Sequence, residues 1–174
     1  MTGREDVIEL LVRQHREIRE LFDEVAAAKG AARTDAYHRL VRLLAVHETA
    51  EEQVVHPAAR EGEGGDAVVD ARVAEERRAK ELLVSMDKIG PDAEGFDTLL
   101  AQLRDDTLSH AAHEEREEFP RLRAHYDQDR LLALAGAVRA AKRSPPRART
   151  RVSSRPPRTS SSARRWPCST APAT

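Results

Sequence analysis

Apolar residues recur at intervals of three and four along most of this chain, which is the spacing of one helical face. Between residues 5 and 28 the pattern runs Val7, Ile8, Leu11, Ile18, Leu21, Phe22 and Val25, and Gly30 ends it. A second stripe over about 34–60 carries Leu40, Leu44, His47, Glu51, Val54 and Ala58, and Pro57 is expected to bend or break the helix near its end. Gly62, Gly64 and Gly65 mark a turn. A third helix over 66–89 turns Val68, Ala71, Ala79, Leu82, Leu83 and Met86 inward and closes at Gly90-Pro91. A fourth over about 93–119 stops before Pro120, and a shorter one follows over 128–142. Four long amphipathic helices with short connections predict an all-α fold. The arrangement expected is an antiparallel up-down-up-down four-helix bundle with a short C-terminal helix.

The inward stripes of the second and fourth helices are interrupted by polar residues where Leu would be expected. His47 and Glu51 stand one turn apart, and so do His110 and Glu114. These are two copies of one pattern. At a constant offset of 63, His47, Glu51, Glu52 and Pro57 match His110, Glu114, Glu115 and Pro120. The first and third helices repeat at an offset of 61: His15, Ile18, Arg19, Leu21 and Phe22 match Glu76, Ala79, Lys80, Leu82 and Leu83. The chain thus reads as a helical hairpin written twice, with Glu76 as the partner of His15.

Burying an ionised carboxylate without a partner is too costly to occur casually. Either these His and Glu side chains satisfy one another, or a cation lies between them, and a doubled pattern at matching depth favours the cation. The predicted metal ligands are His15, His47, Glu51, Glu76, His110 and Glu114, three imidazoles and three carboxylates. Carboxylates can bridge two ions and imidazoles fill terminal positions, so two non-haem irons are expected, with manganese or zinc as alternatives.

These residues carry a family resemblance. His15 in QHREIRELF, His47 and Glu51 in HETAEEQVVHP, and His110 and Glu114 in HAAHEEREEFP resemble the hemerythrin-like HHE cation-binding domain, over residues 5 to about 140. The resemblance implies a four-helix bundle around a di-iron centre. It also implies binding of dioxygen, or action in iron and oxygen sensing, peroxide handling or nitric oxide chemistry. One departure stands out: members of that family usually carry a His on the third helix where this chain has Glu76. The adjacent Glu75 is the alternative ligand. A Glu at this place makes the site more anionic, which by charge alone favours the ferric state over reversible oxygen carriage.

Other polar residues are expected outside the ligand set. His113 lies roughly 60° off the inner face. His56, matched by the repeat to Phe119, is expected to pack at the bundle end. Glu52 and Glu115 are candidates to orient ligand imidazoles from behind, while Glu48 is expected on an exposed face. Tyr37 and Tyr126 are candidates as donors to a bound oxygen species. Arg19 and Lys80 are expected in surface ion pairs, and His38 and His125 in solvent.

Composition agrees with helices. Aromatic residues make up 3% and charged residues 34%, too few and too many for a β-sandwich core. No apolar run nears the roughly 20 residues of a membrane span, and MTGREDVIELL lacks a secretory signal's apolar stretch. Cys168 is the only cysteine. A cytoplasmic monomer is the expectation, with metal ions and dioxygen or small oxidants as partners. There is no Gly-rich phosphate loop, no Ser/His/Asp arrangement and no CxxC pair. The chain is therefore not assigned to an enzyme class, and the alternative is a metal-dependent iron or oxygen sensor, or interaction module, without catalysis.

Charge divides the chain. Eight of its 29 basic residues, and none of its 30 acidic ones, fall after residue 142. Residues 1–142 are therefore read as the metal-binding domain and 143–174 as a disordered Arg/Pro/Ser-rich tail. An inert or out-of-frame tail is favoured over a nucleic-acid-binding arm.

Overall fold

The computed structural model describes residues 5–61 and 64–141, and all their regular elements are helical. The expected disordered tail over 143–174 lies outside the described residues. Helix α1 spans Val7–Ala27 and opens with a capping box. The Asp6 side chain accepts the Glu9 amide at 2.9 Å, and the Glu9 carboxylate accepts the Asp6 amide at 3.0 Å. Helix α2 (Gly30–Ala50) runs through a π-helical segment (Glu51–Val55) into α3 (His56–Arg60). Helix α4 spans Gly65–Ile89. Helix α5 (Phe96–His113) runs through a second π-helical segment (Glu114–Glu118) into α6 (Phe119–His125), and α7 spans Gln128–Ala141. The result is the expected bundle of four long rods with a shorter fifth helix.

Two details differ from the sequence reading. The second rod starts at Gly30, whose φ of +56° turns the chain directly out of α1. The fourth rod does not stop before Pro120 but continues to His125. The prolines do not break their rods because each follows a widened turn. The His56 amide bonds the Glu51 carbonyl, and the Phe119 amide bonds the Glu114 carbonyl, both five residues back. A proline ring clashes with the carbonyl four residues before it in a regular α-helix. The π-turn opens the helix at that level and accommodates the ring.

Two apolar clusters divide the interior. One gathers Ile18, Phe22, Tyr37, Leu40, Leu44, Met86, Phe96 and Leu103 around the loops after α1 and α4. The other gathers Val7, Leu10, Leu11, Val55, Val69, Phe119 and Leu122, and α7 closes it with Leu131, Leu134 and Val138. Each rod crosses from one cluster to the other, and the polar layer occupies the crossing: His15 between Leu11 and Ile18, His47 between Leu44 and Val55, Glu76 between Val69 and Ala79, His110 between Leu103 and Phe119.

The turn between α3 and α4 is a close approach of two backbones. A Cβ on Gly65 would lie 2.1 Å from the Ala59 carbonyl oxygen, which cannot retreat without moving the helix. Gly65→Ala is therefore expected to lower stability by about 1–3 kcal/mol, despite alanine's better helix propensity. Thermal unfolding checks this, and a stabilised variant would contradict the packing described.

Candidate metal centre

All six predicted ligands are buried, and Glu51 and Glu114 have 0% exposure. The fold brings them together in two overlapping groups. Donor atoms of His15, His47, Glu51 and Glu114 form one, and those of Glu51, Glu76 and His110 form the other, each within a 4.8 Å spread. A metal–ligand bond of about 2.1 Å puts opposite donors about 4.2 Å apart, so each group matches a single coordination sphere. Glu51 belongs to both groups. Glu114 also reaches both: one oxygen is 3.2 Å from His15 Nε2 and the other 3.3 Å from His110 Nε2. His47 Nε2 lies 3.1 Å from Glu51 Oε1.

The donor set fits a cation because six of its atoms lack a hydrogen-bond partner. His15 Nε2, His110 Nε2 and both oxygens of Glu51 and Glu114 are buried without a hydrogen-bond partner. Burial drives the Glu51 carboxyl well above the usual range, helped by the charges of Glu114 and Glu76. Burial would also raise Glu114, but His110 and His15 beside it hold it well below its ordinary value. Burial opposes a charge on His110, yet Glu114 and Glu75 lift its pKa to about 10. Without a cation, protons and paired charges must carry this layer.

Behind the donors a second ring of side chains fixes them. The Nδ1 atoms of His15, His47 and His110 face Glu115 Oε1 at 2.8 Å, Gln14 Oε1 at 3.1 Å and Glu75 Oε2 at 3.0 Å. An imidazole whose Nδ1–H donates outward presents its Nε2 lone pair inward, the tautomer a metal needs. The repeat extends to this ring: Gln14 and Glu75 match at the offset of 61, and Glu52 and Glu115 at 63. Glu115 holds His15, whereas Glu52 meets no imidazole at position 76 and instead takes Lys80 Nζ at 2.7 Å.

Glu75, the alternative ligand, lies behind His110 and also accepts from His113 Nδ1 at 2.9 Å, with Arg72 Nη2 paired to it at 3.2 Å. Glu48 is not on an exposed face. It is buried, its carboxyl raised to about 7 by burial, and Lys80 Nζ stands 3.3 Å away. Tyr37 donates to Asp87 and Tyr126 to the Ala58 carbonyl, so both hydroxyls are engaged away from the donors. A cavity of about 20 Å³ adjoins the layer, bounded by Ile18, Leu44, Ala79, Thr107 and Ala111. It has room for about one water-sized molecule.

Sequence reasoning missed two buried residues of this layer. His56 does not simply pack at the bundle end: its Nε2 donates to Glu76 Oε1 at 2.7 Å and its Nδ1 to Glu118 Oε1 at 3.1 Å. Burial disfavours its charge, but the two carboxylates raise its pKa to about 9. The repeat pairs Glu118 with Val55, and a Glu matched to a Val was the available signal.

Comparison with known proteins agrees with this geometry. A crystal structure of a Hemerythrin HHE cation binding domain-containing protein, the Rv2633c homolog from Mycobacterium kansasii, superposes with a TM-score of 0.70. It covers 79% of this chain and 85% of that one at 19% identity, a likeness of fold. A DNA nickase from Nostoc sp. is 28% identical over 141 residues, and the match spans 79% of this chain but 38% of that relative's length. The model of the Hemerythrin HHE cation binding domain matches residues 6–122, more than half of the chain, and the chain belongs to that family.

Proposed function

We propose that residues 1–142 bind two metal ions, iron foremost, through His15, His47, Glu51, Glu76, His110 and Glu114, and that the loaded centre binds or reacts with dioxygen, peroxide or nitric oxide. The observation that carries this reading is the convergence of buried donor atoms from four rods on two overlapping points, six of those atoms having no hydrogen-bond partner. Iron held there supplies redox chemistry and open coordination positions. The protein's part is to place Glu51 and Glu114 between the two points, orient three imidazoles from behind, and exclude bulk water with the two apolar clusters. The adjoining cavity, with room for about one water-sized molecule, favours a very small reactant.

A second reading, a metal-dependent sensor or interaction module, is favoured by one observation: the nickase relative carries its matching segment within a longer chain. Reactivity of the reduced, loaded protein with dioxygen and hydrogen peroxide separates the two readings. Rapid oxidation with a changed absorption spectrum supports the first, and an inert centre supports the second.

Elemental analysis of protein from iron-replete cells should find about two irons per chain, with near-ultraviolet charge-transfer absorption. His47→Ala, His110→Ala, Glu51→Ala and Glu114→Ala should each reduce this to about one or less. Unchanged stoichiometry in those variants would remove the assignment.

The metal-free protein should show a distinct pH dependence. Glu48 at about 7, His56 at about 9 and His110 at about 10 all lie above their ordinary values of 4.5, 6.5 and 6.5. A raised native pKa means that the folded state binds more protons. Its contribution is complete below the unfolded pKa and is lost as pH rises through the folded value. The melting temperature of chelator-treated protein should therefore fall between pH 6.5 and 10. Metal-loaded protein should lose less over that range, because the cation takes the place of the protons. A metal-free melting temperature that is flat or rising there contradicts the charge balance described.

A further inference from the structure

The two halves of the centre follow one repeat, and two departures from it meet in a single contact. In one half, the α1 ligand His15 stacks on Phe119, the first residue after a π segment, with ring centroids 5.9 Å apart and planes 12° from parallel. The repeat sends His15 to Glu76 and Phe119 to His56. In the other half those two residues meet as well, with His56 Nε2 donating to Glu76 Oε1 at 2.7 Å. Both departures from the repeat therefore fall within one contact, with the imidazole moved from the ligand position to the one behind it. A third departure is attached to them: Glu118, where the other half has Val55, accepts from His56 Nδ1 at 3.1 Å. All three side chains are buried.

His56 itself is in neither group of convergent donors, whereas Glu76 is. Its effect on the centre runs through the Glu76 carboxylate. We propose that His56 is a positioning residue: backed by Glu118, it holds Glu76 in the second metal position, and the Glu118–His56–Glu76 chain replaces the ligand imidazole and aromatic support found in the other half. A free Glu at position 76 has several rotamers and a nearby lysine to attract it, since Lys80 Nζ lies 3.4 Å from Glu76 Oε2. The His56 bond limits that choice. This inference rests on the two-metal reading above.

The test uses the full chain purified from iron-replete cells. Metal per chain, the near-ultraviolet spectrum and circular dichroism are measured for each variant. His56→Gln keeps an N–H near the Nε2 position and should retain the wild-type metal content and spectrum. His56→Phe should remove the second metal, lowering the content from about two to about one per chain, with altered charge-transfer bands. The double variant His56→Phe/Glu76→His rebuilds the His15–Phe119 arrangement and should recover toward two.

A His56→Phe protein with wild-type metal and spectrum overturns the proposal, as does a double variant no better than His56→Phe. Should His56→Phe fail to fold, Glu118→Gln takes its place. It is expected to weaken the second metal by about 10-fold or more, and unchanged affinity overturns the proposal. Wild-type protein that takes up no metal sinks the two-metal reading and this inference with it. Two metals in the wild type and no effect in the variants sinks this inference alone.

Discussion

Two carboxylates with no solvent exposure, Glu51 and Glu114, sit in a polar layer between two apolar clusters of the bundle, and most of the structure answers to that fact. An ionised carboxylate in such a place needs compensation worth several kcal/mol. Around Glu51 and Glu114 the chain arranges imidazoles in front and hydrogen-bond acceptors behind the imidazoles, and it leaves the donor atoms of the inner ring facing one another. Such an arrangement is poor as a self-contained hydrogen-bond network and good as a cage for cations.

Two rods bring a His and a Glu to one level by regular four-residue spacing, and the π segments that follow add a further inward side chain to each. Each π segment begins at a candidate ligand, Glu51 or Glu114, and ends just before a buried residue beside the candidate centre, His56 or Phe119. A turn closed by five-residue bonds rotates each residue less than the regular helix does. Side chains five positions after the carboxylate therefore point inward, when a regular wheel would carry them about 140° away. The following proline suits such a turn, because it donates no amide and its ring needs the added space.

The two halves are alike but not equal. His15 on α1 has a carboxylate behind it and an aromatic ring beside it, both from the fourth rod. The α4 side supplies Glu76, with an imidazole bonded to one oxygen and the Lys80 ammonium near the other. Placing an additional acid in the inner ring and additional cationic partners next to it keeps the charge of the layer near that of a symmetric version. The acid-rich cluster of Glu48, Glu52 and Glu76 is held together at the surface by Lys80, which touches all three.

Much of this was legible in the sequence, because helical spacing and the internal repeat are properties of residue order. The His-x-x-x-Glu pairs put two candidate ligands on one face of a rod, and the offsets of 63 and 61 pointed to His15 and Glu76, which the fold buries in the same layer. The same arithmetic could not find the roles of His56 and Glu118. A wheel drawn at a constant angle turns His56 away from the centre, and only the widened turns of the folded rods bring it back. Nor could it place Glu48, whose burial depends on how α2 faces α4, or separate Glu76 from Glu75, since neighbouring positions differ only once the rod's rotation against its partners is set. Residue order determined which side chains share a face. Packing between rods decided which faces meet, and therefore which acids touch the donors and which stand behind them.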